Sequence, residues 1–283
     1  MPVHDDLGTR MKTYYEQIPK TKLMRRTPVA IRIDGKAFHT FTRGFQKPFD
    51  EILIKSMQET TKYLCENIQG CVLGYTQSDE ITLILVDYKN LDTSAWFDYE
   101  IQKMCSISAS MATMAFNKAF EKELNRETIK RLCEINNNID ETDEDRECRF
   151  AHKKALEKGA MFDARVFNIP KEEVTNLIYW RQLDATRNSI QMVGQANFSH
   201  KELQGKSCNM IQDMLMTQKG INWNDIPTHQ KRGSCCIKNK IILEYEGSRM
   251  LCKDVPDGHW FIDKNIPIFK GEGREYIEEL INF

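Results

Sequence analysis

The sequence predicts an α+β fold: a split βαβ plan in which an antiparallel sheet carries helices on one face. Three observations lead there. Val29, Ile31 and Ile33 alternate with Ala30, Arg32 and Asp34, the period of a strand, and Gly35 ends the run. Residues 71–86, CVLGYTQSDEITLILV, read as a β-hairpin with Gln77-Ser78-Asp79-Glu80 at its corner. Helix-spaced segments separate these from a further alternating run, giving the order strand, helix, strand, strand, helix, strand.

The elements follow in chain order. Asp6 to Lys20 reads as a short helix, and Pro28 breaks the chain before the first strand. From Phe49 to Glu66, Ile52, Leu53, Met57 and Tyr63 share a helical face. Tyr99 to Phe120, rich in Met, Ala and Ser, predicts a helix able to pack closely on the sheet. Asn136 to Glu147 is polar and acidic without apolar periodicity and predicts a loop. Ala160 to Ile169 alternates as a strand, and Pro170 opens a helix reaching about Val193. Ser199 and Glu202 form a capping box before a helix that runs to about Gln218 and stops at Gly220. Two short strands near Cys235–Lys238 and Lys240–Tyr245 and an acidic C-terminal helix complete the chain. We expect residues 1–283 to form one catalytic unit, with a core over about 25–195 and a helical and small-strand region over about 196–283.

Composition narrows the class. The 283 residues suffice for a sizeable core. Their longest apolar runs are too short to cross a bilayer, and the N-terminus MPVHDDLGTR has no apolar signal region. Nine cysteines without CxxC pairs point to a reduced, cytoplasmic protein rather than a zinc or disulfide framework. The net charge of −1 lacks the basic excess usual in a nucleic-acid binder. Local clusters remain at Lys20, Lys22, Arg25 and Arg26, at His152, Lys153 and Lys154, and at Lys231 and Arg232; these serve equally as solvated surface.

Chemistry concentrates at Asp34 and at Asp79-Glu80. A split βαβ sheet sets the first and third strands side by side, which brings these acids together. Carboxylates so close repel unless a cation lies between them. Mg²⁺ favours such oxygens together with substrate phosphates, and two ions there suit phosphoryl transfer. The local pattern alone leaves open that Asp-Gly marks a turn and Asp-Glu a surface. Between strand and helix, the backbone N–H groups of Gly35, Lys36, Ala37, Phe38 and His39 can face a phosphate, although no Walker pattern is present. Lys47 serves as a point charge for the same phosphates or as a surface lysine before Pro48. His39 is equally suited to packing, and Phe38 to the core. On the helix after Pro170, Arg181, Asp184, Arg187 and Asn188 share a face, either as a solvated stripe or as contacts to phosphate or RNA. Asp163 and Arg165 share one side of their strand, where a buried pair would brace that stripe.

Together these segments resemble the tRNA-His guanylyltransferase superfamily, and more closely its bacterial and archaeal guanylyltransferase-like branch. The similarity rests on Arg32-Ile33-Asp34-Gly35-Lys36-Ala37-Phe38-His39, Lys47-Pro48, Gln77-Ser78-Asp79-Glu80, Phe162-Asp163-Ala164-Arg165 and Trp180-Arg181-Gln182-x-Asp184. It spans about residues 30–190, and the RxDGxxFH and QSDE pair in this order is its specific part. The resemblance implies a polymerase-palm-like core and 3′–5′ nucleotide addition to the 5′ end of a tRNA. It implies two Mg²⁺ ions on Asp34, the Gly35 carbonyl and Asp79, with Glu80 also required, and a triphosphate held by Gly35 to His39 and Lys47 beside Ser78. GTP and ATP are the implied substrates, and a homotetramer the implied assembly, which would build a basic groove from several subunits. Eukaryotic members carry His-Ile-Asn-Asn after the Arg-Gln-x-Asp motif. Here the chain reads Asp184-Ala185-Thr186-Arg187-Asn188-Ser189, with Thr186 in place of the histidine. That departure favours template-dependent repair of 5′-truncated tRNA over strict guanylation of tRNA-His. A nucleotide cyclase on the same palm, or a non-catalytic tRNA-binding protein, are the alternatives.

Overall fold

The computed structural model of the chain describes residues 6–136, 142–238, 241–245, 248–252 and 259–282. The elements are α1 (Asp6–Met11), β1 (Val29–Gly35), α2 (Phe38–Phe41), α3 (Glu51–Asn67), β2 (Cys71–Gln77), β3 (Glu80–Leu85), α4 (Ile101–Asn136), α5 (Asp143–Lys158), β4 (Phe162–Asn168) and α6 (Val174–Asn197). There follow α7 (His200–Leu203), α8 (Cys208–Lys219), α9 (Thr228–Arg232), β5 (Ser234–Lys238), β6 (Ile241–Tyr245), β7 (Ser248–Cys252), β8 (Trp260–Asp263) and α10 (Glu275–Ile281).

Six strands form one antiparallel sheet in the order β4-β1-β3-β2-β5-β8. Its first four strands have the split βαβ order, with β1 between β3 and β4. The predicted helical layer lies on one face, where α3 and α4 cover Val29, Ile31, Ile33, Ile81, Leu83 and Leu85. A second layer extends the expected single one. Ala30, Leu73, Tyr75 and Ile84 project to the other face and are buried with Val174 and Ile178 of α6 and Ile277 and Ile281 of α10. Strands covered on both sides carry near-continuous apolar runs, as residues 81–86, ITLILV, do here. A third cluster joins α6 to α8 through Ile190, Val193, Ile211, Leu215 and Trp223. Because β5 and β8 enter the same sheet, the C-terminal region is built into the core.

Four boundaries differ from the sequence expectation, each for a local reason. The first helix stops at Met11 and continues as a π-helical turn, Lys12–Glu16, with no buried side chain to hold it. α4 runs 36 residues, past Phe120. Its extension is rich in helix formers and carries Glu123–Arg126 and Glu127–Arg131 pairs at helical spacing. The acidic stretch expected as a loop over 136–147 is largely helical where it is described. Thr142 caps α5 in a capping box with Asp145, and three acids occupy the first turn, where the helix dipole favours them; residues 137–141 lie outside the described residues. The helix expected from Ser199 to Gln218 divides into α7 and α8 at Gly205, whose φ is +73°.

Candidate active site

The acidic corner forms where β1 ends and β3 begins. Asp34 stands opposite Glu80 on one side and Asp163 on the other. Facing residues in a sheet project to the same side, so the three carboxylates share one face. Asp79 joins them from the hairpin turn, its backbone oxygen accepting from Gly35 N at 3.1 Å. The two aspartates, 45 positions apart in the chain by their numbering, thus meet through strand adjacency alone.

Their electrostatics show the strain of that meeting. Partial burial, then the charges of Glu80 and Asp163, hold the Asp34 carboxyl above its ordinary range, against the pull of Arg165 and Arg32. Burial pushes Asp79 up to about 6; the Ser78 hydroxyl, donating to Oδ1 at 3.0 Å, opposes this, while Asp34 and Glu80 add to it. Neither aspartate has an ion-pair partner among the described residues. A half-buried pair of carboxylates without a protein cation is a donor set suited to a hard, oxygen-seeking divalent ion. Mg²⁺ therefore fits the residues present.

Glu80 is in a different state. Arg181 Nη1 donates to its two oxygens at 2.8 and 3.1 Å, Gln77 Nε2 donates at 3.0 Å, and Arg32 Nη2 lies 3.4 Å away. Arg181 is buried, its Nη2 lies 3.3 Å from Asp184, and its guanidinium stacks 3.9 Å from the Trp180 ring centre. Arg32 approaches the same ring at 5.2 Å. This corrects two expectations. Arg181 is no part of a surface stripe for RNA: the second helical layer turns it inward onto Glu80. Asp163 and Arg165 are not a buried brace either, being 59% and 66% exposed with 3.9 Å between them. Arg187 is exposed and bound to Asp184, and Asn188 Nδ2 lies 3.4 Å from the same carboxylate.

The segment after β1 is divided in its roles. Gly35 N and Lys36 N are spent on Asp79 O and Met161 O, the latter at 2.8 Å, so these two do not face a phosphate as expected. Ala37, in left-handed backbone, turns the chain into α2. The N–H groups of Ala37, Phe38 and His39 open that turn without an intrahelical acceptor. The Phe38 ring is buried against Phe41, Phe116 and Phe162, whereas Lys36 and His39 are exposed. A Cβ at Gly35 would lie 2.3 Å from the Phe38 ring, which explains the glycine beside Asp34.

Lys47, exposed, lines a groove of about 650 Å³ with Asp50, Arg131 and His152. Ser78 and Asn188 line a smaller cavity of about 80 Å³ with Asp50, His229 and Gln230. The sequence reading missed Arg32, Gln77 and Asp50. Arg32 and Gln77 stand inside the motifs that drew attention, at positions sharing a face with Asp34 and Glu80. Asp50 carried one signal, its place just before the helix, and it caps α3 by accepting from Leu53 N at 2.9 Å.

The fold and this corner define a nucleotidyltransferase. A family model described as tRNAHis guanylyltransferase matches residues 8–170. Among solved structures, a bacterial tRNA(His) guanylyltransferase-like protein in complex with ATP is 41% identical, covering 98% of this chain and 100% of that one, with a TM-score of 0.75. One in complex with GTP is 37% identical over 99% and 100%, with a TM-score of 0.70. The tRNA(His) guanylyltransferase of Saccharomyces cerevisiae is 26% identical over 76% of this chain and 84% of its own. The chain belongs to the tRNAHis guanylyltransferase family. None of its described helices is long and apolar enough to cross a membrane.

Proposed function

We propose that the protein adds nucleotides in the 3′–5′ direction to the 5′ end of tRNA, acting by template-dependent repair of 5′-truncated molecules. The observation that carries this reading is the convergence of Asp34 and Asp79, unpaired with cations among the described residues, at the ends of adjoining strands. Asp34, Asp79 and the Gly35 carbonyl would hold two Mg²⁺ ions, which when bound would supply neutralising charge for the reacting phosphoryl oxygens. Glu80, fixed by Arg181, Arg32 and Gln77, adds negative charge behind the pair and keeps the start of β3 in place. The N–H groups of Ala37 to His39, with Lys36 and Lys47, receive the triphosphate, and Ser78 orients Asp79. The tRNA 5′-phosphate first attacks the α-phosphorus of ATP or GTP and pyrophosphate leaves. The 3′-hydroxyl of an incoming nucleotide then attacks the tRNA 5′ phosphorus, and the activating nucleoside monophosphate leaves. No protein nucleophile takes part.

Arg187, exposed on α6, and Asn188, half-buried one position on, are the α6 residues this reading assigns to RNA or phosphate contact. Thr186 in place of the eukaryotic histidine supports repair over strict guanylation. A homotetramer is supported by the N-terminal segment, where Leu7, Tyr14, Tyr15 and Ile18 are 60–74% exposed and α1 buries nothing. Free thiols at Cys65, Cys71, Cys105, Cys133, Cys148, Cys208, Cys235 and Cys236 agree with a cytoplasmic location.

The test is transfer of labelled GTP to 5′-truncated, 5′-phosphorylated tRNA by wild type, Asp34→Ala and Asp79→Ala. Loss of transfer in both variants supports the proposal; undiminished transfer in either overturns it. A cyclic nucleotide from GTP alone would indicate the cyclase reading instead.

A further inference from the structure

Outside the acidic corner, the Lys47 groove has a reactive-looking constellation at its floor. His152 is 4% exposed and lies between Phe45 and Phe120, with ring centres 4.3 and 5.9 Å away. Its Nε2 is 2.8 Å from Asp50 Oδ2, and its Nδ1 faces the Cys148 sulfur at 3.8 Å. Asp50 is itself fixed, accepting from Gln46 N at 3.1 Å and Leu53 N at 2.9 Å. Cys148 and His152, four apart, share one side of α5, and Cys148 is half-buried at the groove wall. A carboxylate orienting an imidazole that faces a thiol is the arrangement that activates a cysteine nucleophile.

We infer that Cys148 is an activated thiol, a modification site that takes up low-molecular-weight disulfides entering the groove, with His152 as its base and Asp50 as the orienting group. Burial presses the His152 ring toward neutrality, but its hydrogen bonds to Asp50 and Cys148 outweigh this and hold it at about 9. In the reaction the Cys148 sulfur attacks one sulfur of the disulfide and the S–S bond breaks. The departing thiolate takes up the proton that Cys148 gave to His152. Cys148 is oxidised to a mixed disulfide, and the departing half of the reagent is reduced. Cys65, Cys235 and Cys236 are fully buried in the core and have no such access.

The test treats the full-length protein with limiting iodoacetamide, and separately with oxidised glutathione, and reads each cysteine by peptide mass spectrometry. Cys133, exposed on α4, is the internal reference. Cys148 is expected to alkylate at least about tenfold faster than Cys133 and to carry the glutathionyl group first. In His152→Gln the ratio falls toward one. Alkylation of Cys148 no faster than Cys133 in the wild type overturns the inference without relying on any variant to fold; so does an unchanged ratio in a folded His152→Gln protein. The readout is independent of nucleotide transfer.

Discussion

Arg181 reaches Glu80 from 101 positions further along the chain, its Nη1 lying 2.8 Å from one carboxylate oxygen and 3.1 Å from the other. This pair fastens α6 to the start of β3 beneath the acidic corner. Removing one partner of a buried ion pair costs more than the pair contributes, because the remaining charge is stranded. Arg181→Met is therefore expected to lose about 3 kcal/mol of stability, read from the urea midpoint. Arg181→Lys, which lacks the planar fork needed to serve Glu80 and Asp184 together, recovers only part of it.

Asp79 offers a test with the opposite sign. Its carboxyl lies at about 6 in the folded chain, above the ordinary value of about 3.9. The folded state thus binds the proton more tightly. The associated stability is complete below about pH 3.9 and is lost as pH rises through 6. At pH 7 Asp79→Asn removes this penalty and gains about 2 kcal/mol, seen as a higher Tm in the absence of divalent ions. Added Mg²⁺ raises the wild-type Tm and moves that of Asp79→Asn much less.

His152 titrates in an alkaline window. Its folded value of about 9 lies above the ordinary value of about 6.5. Stability from the Asp50–His152 pair is complete below about pH 6.5 and declines as pH climbs through 9, by up to about 3 kcal/mol. Thermal melts across that range should fall for the wild type and flatten for His152→Gln.

Gly35→Ala tests the packing next to Asp34. The added carbon meets the Phe38 ring at 2.3 Å, so either the ring or the strand end must move. Overpacking of this kind costs about 1–3 kcal/mol, and the shift falls on the residue following Asp34. Loss of nucleotide transfer is expected to exceed the loss of stability.

The strands were legible because alternation in 29–34 and 71–86 is a direct record of the pleat, and the meeting of Asp34 with Asp79 followed from strand order. The role of Arg181 was not legible. A polar stripe on a helix looks the same whether it faces water or a second layer, and only the burial of Ala30, Tyr75 and Ile84 reveals α6 on that face. α5 was missed because its charged surface hides the apolar period; Thr142 and Asp145, its capping box, were the available signal. Asp50 and His152 meet across 102 positions, a distance no local pattern records.

The place of β1 between β3 and β4 also has a consequence for synthesis. Translation delivers Val29–Gly35 and its hairpin neighbour early, but β4 begins only at Phe162. Until the ribosome has passed that point, one border of β1 has bare amide and carbonyl groups and Asp34 lacks its neighbour Asp163. The acidic corner is therefore completed late, by a pairing between segments made far apart in time.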